Sequence, residues 1–393
     1  MDAVVFIGIN EPSRQAWKEA NLMGYYTFIL SDKYIITRQR YLNQFKCVDV
    51  KDESQINVAL FEILQVGFTI KAIVSLCEST IMMASKLHQK FCHSFWPVKP
   101  VYKMSNKYET RECLRETKYN IEYQKLIKEN DGLDVIIGFP LILKSIYSKG
   151  SKYVRKILNH NQLLKESEIL FKETRAEELL IEQFVEGRQF LVEVMVFNGF
   201  IQLVAIFEQE VTYNRRFIVT GYASISEKAG IFQILKNITE TIVDRFGMNY
   251  GSCHLELRYT KNGWKLIEIN PRISGGEVHN MIKAAYGFSY VREILKVHLN
   301  EMPNLQMKHN QFVYTFYFIA KSDGVIKEIK GEQKARCCEG VVNVTFKNKV
   351  GDYVREPLSM GDRLGYVMAV GAGRSEAKQR ALLAASFITI DIC

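Results

Sequence analysis

The residues best suited to chemistry lie between His254 and Gly276. Around the apolar run Leu266, Ile267 and Ile269 the chain carries Glu268, Asn270 and Arg272 at every second position, and upstream it does the same with His254, Glu256 and Arg258. Period two puts each set on one face of a strand. Lys261-Asn262-Gly263 between them is a hairpin-type turn signal, so Glu256, Glu268 and Asn270 are expected to face a common space. Carboxylate and amide oxygens beside an arginine suit Mg²⁺ and polyphosphate. The ion takes hard oxygen ligands from one or two carboxylates plus phosphate, and the guanidinium grips phosphate or carboxylate in a fixed fork. The competing reading is a hairpin with a solvated charged face, which usually mixes Lys and Thr without such a concentration of acceptors. Pro271 fits a strand end, because it has no N–H to give a ladder.

Upstream, Gly138 to Lys144 reads as an apolar strand ending in a lysine, followed by a loop with Ser148, Gly150 and Ser151. A lysine at the end of a buried strand needs a charge partner or a route to solvent. A nucleotide phosphate is one such partner, and small loop residues let backbone N–H groups approach phosphate oxygens; a plain hairpin with Lys144 snorkelling is the alternative. Glu182 sits in the apolar run Leu179 to Gly187 and needs a donor, which an adenine amino group or a neighbouring Lys or Arg can supply. Val185 can offer backbone groups to the ring edge. Asn106-Lys107 opens a charged helical segment from Tyr108 to about Thr117. Ser274, Gly275 and Gly276 either offer N–H groups to a carboxylate or acyl phosphate or form only a tight turn, and Glu277 can bind an amino group or a cationic side chain. His254 and Glu277 are the candidates to take a proton, with a structural role for His254 as the simpler reading. Gly8-Ile9-Asn10 and Gly371-Ala372-Gly373-Arg374 both lack the later glycines of a dinucleotide fingerprint, and Ser375 is expected to cap the last helix.

These side chains need elements to hold them. Val4 to Gly8, a helical stretch through Trp17, and Tyr26 to Leu30 form a βαβ opening; a helix over 56–66, a strand at Ala72 to Leu76 and a helix from Glu78 to Leu87 extend it into one α/β unit of about 100 residues. Strands follow at Phe190 to Phe197 and 200–207, then a helix from Ile231 to Phe246 whose Phe, Ile and Leu stripe is core. At 393 residues, with 47% hydrophobic and 24% charged residues, the chain is ordinary globular protein with room for two or three domains. Its net charge of +9 is spread along the sequence, and most of the 20 Tyr and 23 Phe lie in apolar runs, so a basic stripe interleaved with aromatics for nucleic acid is absent. Eight scattered cysteines without a CxxC pair suggest reduced thiols in the cytosol, and no apolar run approaches a membrane span. A cytoplasmic protein with neither nucleic-acid nor membrane partners is expected.

Taken together, Asn106-Lys107, Leu141 to Lys144 with its loop, Glu182 to Val185 before Gly187, and Glu256 with Glu268-x-Asn270-x-Arg272 resemble the ATP-grasp superfamily of carboxylate–amine ligases. Beyond 300, Phe312 to Ala320, Asp323-Gly324, Gly331 and Gly361 to Gly365 are similar to the closing segment of its L-amino-acid ligase branch, which includes dipeptide synthetases. The resemblance implies a mixed α/β and α+β chain with the ATP-grasp fold: a Rossmann-like pre-grasp domain (1–104), a small mobile lobe with its preceding helix (105–185), and a large antiparallel-sheet lobe with a C-terminal extension (186–393). It also implies roles. Lys107, Lys144, Ser148, Gly150 and Ser151 contact the ATP phosphates, Glu182 and Val185 bracket adenine, and Gln189 faces the ribose where the family often has an acid. Glu256, Glu268 and Asn270 hold two Mg²⁺ ions, with Mn²⁺ as a substitute. Arg272, Lys144 and Glu268 are catalytic, and Arg272, Ser274, Gly275, Gly276 and Glu277 contact substrate. The implied activity is amide formation between L-amino acids through an acyl phosphate, releasing ADP and phosphate. Attachment of an amino acid to an acidic carrier protein or an antibiotic precursor is the nearest alternative, and a nucleotide-binding regulator the non-enzymatic one. A homodimer is compatible with the branch.

Overall fold

The structure is a computed structural model that describes residues 1–32, 44–128, 135–148, 150–213 and 216–393. Its first unit is a parallel sheet in the order Gln44–Cys47, Tyr26–Ser31, Asp2–Ile7, Thr69–Val74. The run Ala3 to Ile7 is apolar at every position because helices cover both faces of the sheet. Helix Glu11–Leu22 starts where the Asn10 side chain accepts the Ser13 N–H, with Pro12 in its first turn. Helix Glu53–Gln65 packs on the same sheet, and the helix after Thr69–Val74 begins at Ile81, not at Glu78 as expected, which leaves Glu78 in the loop beyond the carboxyl end of that strand.

A second, antiparallel sheet runs Tyr123–Ile127, Glu178–Gln183, Leu141–Ser145, Val154–Ile157. Alternation divides its faces: Leu141, Leu143, Leu179 and Ile181 pack with Leu163 and Leu170 of helix His160–Thr174, while Ile142, Lys144 and Glu182 turn to the opposite side. The charged segment before it is a shorter helix than expected, Lys107–Cys113, capped by the Asn106 side chain on the N–H groups of Tyr108 and Glu109.

The largest sheet has eight antiparallel strands in the order Gly263–Asn270, Gly251–Thr260, Arg188–Phe197, Phe200–Tyr213, Phe217–Ser224, Phe312–Phe318, Gly365–Gly371, Val341–Phe346. Phe190, Val192, Val194 and Val196 bury one face against helix Gly230–Phe246. The intervening positions Gln189 and Glu193 share the other face with His254, Glu256 and Arg258 through the register Gln189–Arg258 and Glu193–His254. Helices Val278–Tyr286 and Tyr290–His298 close that side and join its apolar part to the first unit. A helix at Arg374–Ser386 covers the far strands. Its N-cap is Gly373, so Ser375 lies inside the first turn; the Glu376 carboxylate instead takes the Ala372 N–H at 2.6 Å. Among the described residues, no helix is long and apolar enough to cross a membrane.

Candidate active site

The hairpin forms as its period-two pattern requires, and its register sets Glu256 directly opposite Glu268 and His254 opposite Asn270. Directly opposed residues share a face, so both carboxylates lie on the same side as Asn270, and the register shifts only beyond them, between Glu256 and Leu257. This face and the polar face of the small sheet bound an open cleft of about 690 Å³. Lys107, Lys144, Ser148, Ser151, Glu182, Val185, Gln189, Glu256 and Glu268 all line it, between apolar walls that include Ile142, Phe184 and Ile267. Position 149 of the loop lies outside the described residues. Gly150 stands off the cleft lining, and its carbonyl accepts the Met360 N–H at 2.9 Å.

Charges in the cleft are matched in detail. Lys107 Nζ lies 2.9 Å from Glu268 Oε1 and donates to the Ser148 carbonyl at 2.6 Å. Burial opposes the Lys107 charge, but Glu268 and Glu78 outweigh it and hold the ammonium above its ordinary value. Lys144 Nζ is 2.6 Å from Glu182 Oε2, and Arg111 Nε donates to Glu182 Oε1 at 2.6 Å. Both carboxylate oxygens of Glu182 are thus held by cations. Burial brings Lys144 down to about 8 against the pull of Glu182. Glu256 is pushed up by burial and by the Glu268 charge, whereas Lys107 and Lys144 overcome burial and hold Glu268 down. Gln189 donates to Gln209 Oε1 at 2.7 Å and Glu256 Oε2 at 3.2 Å, and its own oxygen accepts from Arg258, which also donates to the Val185 carbonyl at 2.7 Å.

Asn270, Arg272 and residues 274–277 follow Glu268 in the chain but stand outside the cleft lining. His254 Nδ1 is 2.7 Å from the Arg272 carbonyl, an oxygen that can only accept, so the proton sits on Nδ1. Nε2 must then accept from the Asn270 amide nitrogen at 3.2 Å, which turns the Asn270 oxygen away from the ring. Burial and the Arg272 charge bring His254 down to about 3, so it is neutral, and its lone pair is already engaged. Arg272 reaches Glu78 Oε2 at 2.5 Å. Ser274 N–H donates to Glu193 at 2.9 Å, and the Gly276 carbonyl accepts from the Tyr317 hydroxyl. Glu277 has a left-handed backbone (φ 65°) at the start of the helix Val278–Tyr286 and accepts from Asn280 at 2.7 Å.

Sequence reasoning passed over Arg111, Glu193 and Glu78. Arg111 is 1% exposed and also donates to the carbonyls of Leu266 and Ile267, both at 2.7 Å, so it ties the small sheet to the hairpin. Glu193 was detectable as a lone acid at an alternate position of an apolar strand, and Glu78 as an acid beyond the carboxyl end of a parallel strand, where such sheets bind ligands.

A cleft between a small antiparallel sheet and a larger one, floored by paired carboxylates and roofed by lysines, is the ATP-grasp arrangement. Residues 137–280 match the ATP-grasp domain family and residues 316–392 the L-amino acid ligase C-terminal domain 2 family, between them more than half of the chain. The chain thus carries an ATP-grasp domain followed by an L-amino acid ligase C-terminal domain, and in both it is similar to the L-amino acid ligases. It is 26% identical over 248 residues to the uncharacterized protein y4rH of Sinorhizobium fredii, a match over 61% of this chain and 51% of that one, so it spans about half the length of this curated relative. It is 25% identical over 341 residues to dapdiamide A synthase of Enterobacter agglomerans, covering 79% of this chain and 78% of the relative. The crystal structure of L-amino acid ligase from Bacillus licheniformis superposes with a TM-score of 0.85 at 17% identity, covering 100% of this chain and 99% of that one, a likeness of fold.

Proposed function

We propose that the chain activates the carboxylate of one amino acid with ATP and joins it to the amine of a second, releasing ADP and phosphate. The observation that carries this reading is the convergence of Lys107, Lys144, Glu256 and Glu268 on one cleft, with Arg272 and the 274–277 turn next along the chain from Glu268. The same reading divides the chain into a leading unit (1–104), a small lobe (105–185) and a large lobe (186–393), in keeping with its three main sheets.

A carboxylate oxygen attacks the γ-phosphorus, the bond to the β,γ-bridging oxygen breaks, and ADP leaves. An amine then attacks the acyl phosphate carbon, loses a proton, and expels phosphate. Both steps build negative charge on oxygen. Lys107 and Lys144 offset it around the phosphates, with Ser148 and Ser151 beside them and Gly150 shaping the loop behind, and Arg272 does so at the acyl centre. The apolar walls suit a flat purine, with Val185 and Glu182 at its edge and Gln189 towards the ribose. Glu182 acts there chiefly by holding Lys144, since Lys144 and Arg111 occupy its oxygens.

The donor set fits Mg²⁺. Two half-buried carboxylates face one another, burial and the Glu268 charge lift Glu256, and a divalent cation held by the pair would offset their repulsion. Glu256, Glu268 and Asn270 would hold the ion, Mn²⁺ being an alternative. Among the described residues no trio of His, Cys, Asp or Glu converges, which leaves coordination positions for phosphate oxygens. When bound, the ion neutralises phosphate charge and fixes phosphate orientation. The test is incubation with ATP, Mg²⁺ and a mixed pool of L-amino acids, followed by ADP measurement and mass spectrometry. Amino-acid-dependent ADP release with products weighing two amino acids less one water is expected; turnover indifferent to amino acids overturns the reading.

A further inference from the structure

Beside the Gly275-Gly276 turn, two opposite charges stand without a salt-bridge partner among the described residues. Arg363 Cζ stands over the Tyr317 ring, 3.7 Å from its centroid, with Nε donating to the Met360 carbonyl at 3.2 Å and Nη1 to the Val219 carbonyl at 3.3 Å. Both partners are neutral, so the guanidinium charge is uncompensated. Glu277 is contacted by neutral groups only: the Asn280 amide at 2.7 Å and the Tyr366 hydroxyl at 3.3 Å. Arg363 and Glu277 do not pair with each other although they flank the same turn; a Cβ at Gly276 would come within 2.9 Å of Arg363 Nη2. Two half-buried charges of opposite sign, held apart by a turn, suit a molecule that carries both signs a few ångströms apart. Arg363 is also linked to the cleft through a chain of side-chain hydrogen bonds. The Tyr222 hydroxyl, which interacts with Arg363, accepts from Gln209 at 3.4 Å, and Gln209 in turn accepts from the Gln189 amide beside Glu256.

Resting on the ligase reading above, we propose that Arg363 and Glu277 form the subsite for the amine-side substrate and that this substrate is recognised as a zwitterionic amino acid. Arg363 takes its α-carboxylate in a two-pronged hydrogen bond, and Glu277 takes hydrogen bonds from its ammonium group. The planar fork matches a carboxylate, and its contact with Tyr317 holds it in place before the ligand arrives. Gly276 makes room for the guanidinium, because a Cβ there would stand 2.9 Å from Arg363 Nη2, and its backbone is left-handed (φ 68°). The subsite selects against amines that lack a carboxylate, since these leave Arg363 desolvated and unpaired.

The test uses the full chain with ATP, Mg²⁺ and the amino acid that the mixed-pool assay finds at the amine-derived end of the product. That amino acid, its α-amide and its decarboxylated amine are compared as acceptors. For the unaltered protein, the amide and the amine should need about 10- to 100-fold higher concentration, the range for losing a charged hydrogen-bonded pair. In Arg363→Gln the KM for the amino acid should rise by the same factor, with the KM values for the amide, ATP and the acid-side substrate unchanged. Glu277→Gln should raise KM for all three acceptors. Equal use of amide and amino acid by the unaltered protein, or an Arg363→Gln variant whose KM rises equally for both, overturns the proposal while leaving the ligase reading intact. If no amino-acid pair is joined, the ligase reading falls instead. Calorimetric titration of each proteinogenic amino acid and its α-amide into the protein and Arg363→Gln then decides the subsite: binding weakened only for an amino acid supports it, and binding that is absent or equal in the two proteins overturns it.

Discussion

His254 is bonded through both ring nitrogens, and that makes it an orienting residue for Asn270. Replacing it with Ala frees the Asn270 amide to rotate and should weaken Mg²⁺ dependence about 10- to 100-fold with the fold retained, read from the metal concentration that gives half-maximal turnover. Arg272 has the more direct role, and Arg272→Ala should lower kcat about 100- to 1000-fold, as removal of one charge-stabilising donor does, measured by ADP release. Glu193 offers a pH test. Burial pushes its carboxyl from 4.5 up to about 8, with the Ser274 N–H and Arg272 opposing. Between those values the unfolded chain has lost a proton that the folded chain keeps. Its contribution to stability is therefore full below 4.5, falls as pH rises by up to about 1.4 kcal/mol per unit, and is gone above about 8. Glu193→Gln retains an acceptor for Ser274 and should flatten that slope, seen by comparing urea unfolding of the two proteins at several pH values.

At the scale of elements, the hairpin was legible because its information is local: alternation sets the face, the Lys-Asn-Gly turn sets the register, and Pro271 ends the second strand. The strand bearing Lys144 and the apolar strands of both larger sheets were legible for the same reason. Arg111 and Glu78 were not, since each acquires meaning from a partner remote in sequence, Leu266 at a separation of 155 residues for one and Arg272 at 194 for the other. Glu182 in isolation left an adenine amino group and a basic side chain as equally good donors, and only the packing of the Lys107–Cys113 helix brings Arg111 to it. The expected Ser375 cap shows the limit of composition, since a serine beside a helix start is a cap only if it occupies the residue before the first helical turn, and here Gly373 does. Arg111→Met leaves Glu182 with one cation and two carbonyls without a donor, and should cost about 3 kcal/mol in unfolding experiments. Gly187 is a second fixed point: its φ is 151°, and a Cβ would stand 1.9 Å from the Tyr259 carbonyl oxygen. Gly187→Ala should therefore cost more than about 2 kcal/mol, measurable in the same unfolding experiment.

On the scale of the whole molecule, the site belongs to no single sheet. The parallel sheet contributes Glu78, the small sheet Lys144 and Glu182, the large sheet its carboxylates, and the segment before Gly365–Gly371 contributes Arg363. Glu78→Gln should thus alter turnover more than unfolding, because it releases Arg272 without disturbing an apolar core. One backbone contact has a kinetic consequence. The loop over the phosphate cleft is joined to the Arg363 segment by the Met360 N–H on the Gly150 carbonyl. On the proposed function this contact couples the nucleotide loop to the ribbon that carries Arg363. The expected order of arrival is nucleotide first and acceptor amine last, read from the pattern of initial-rate lines and from how ADP inhibits against each reactant; random-order kinetics would separate the two.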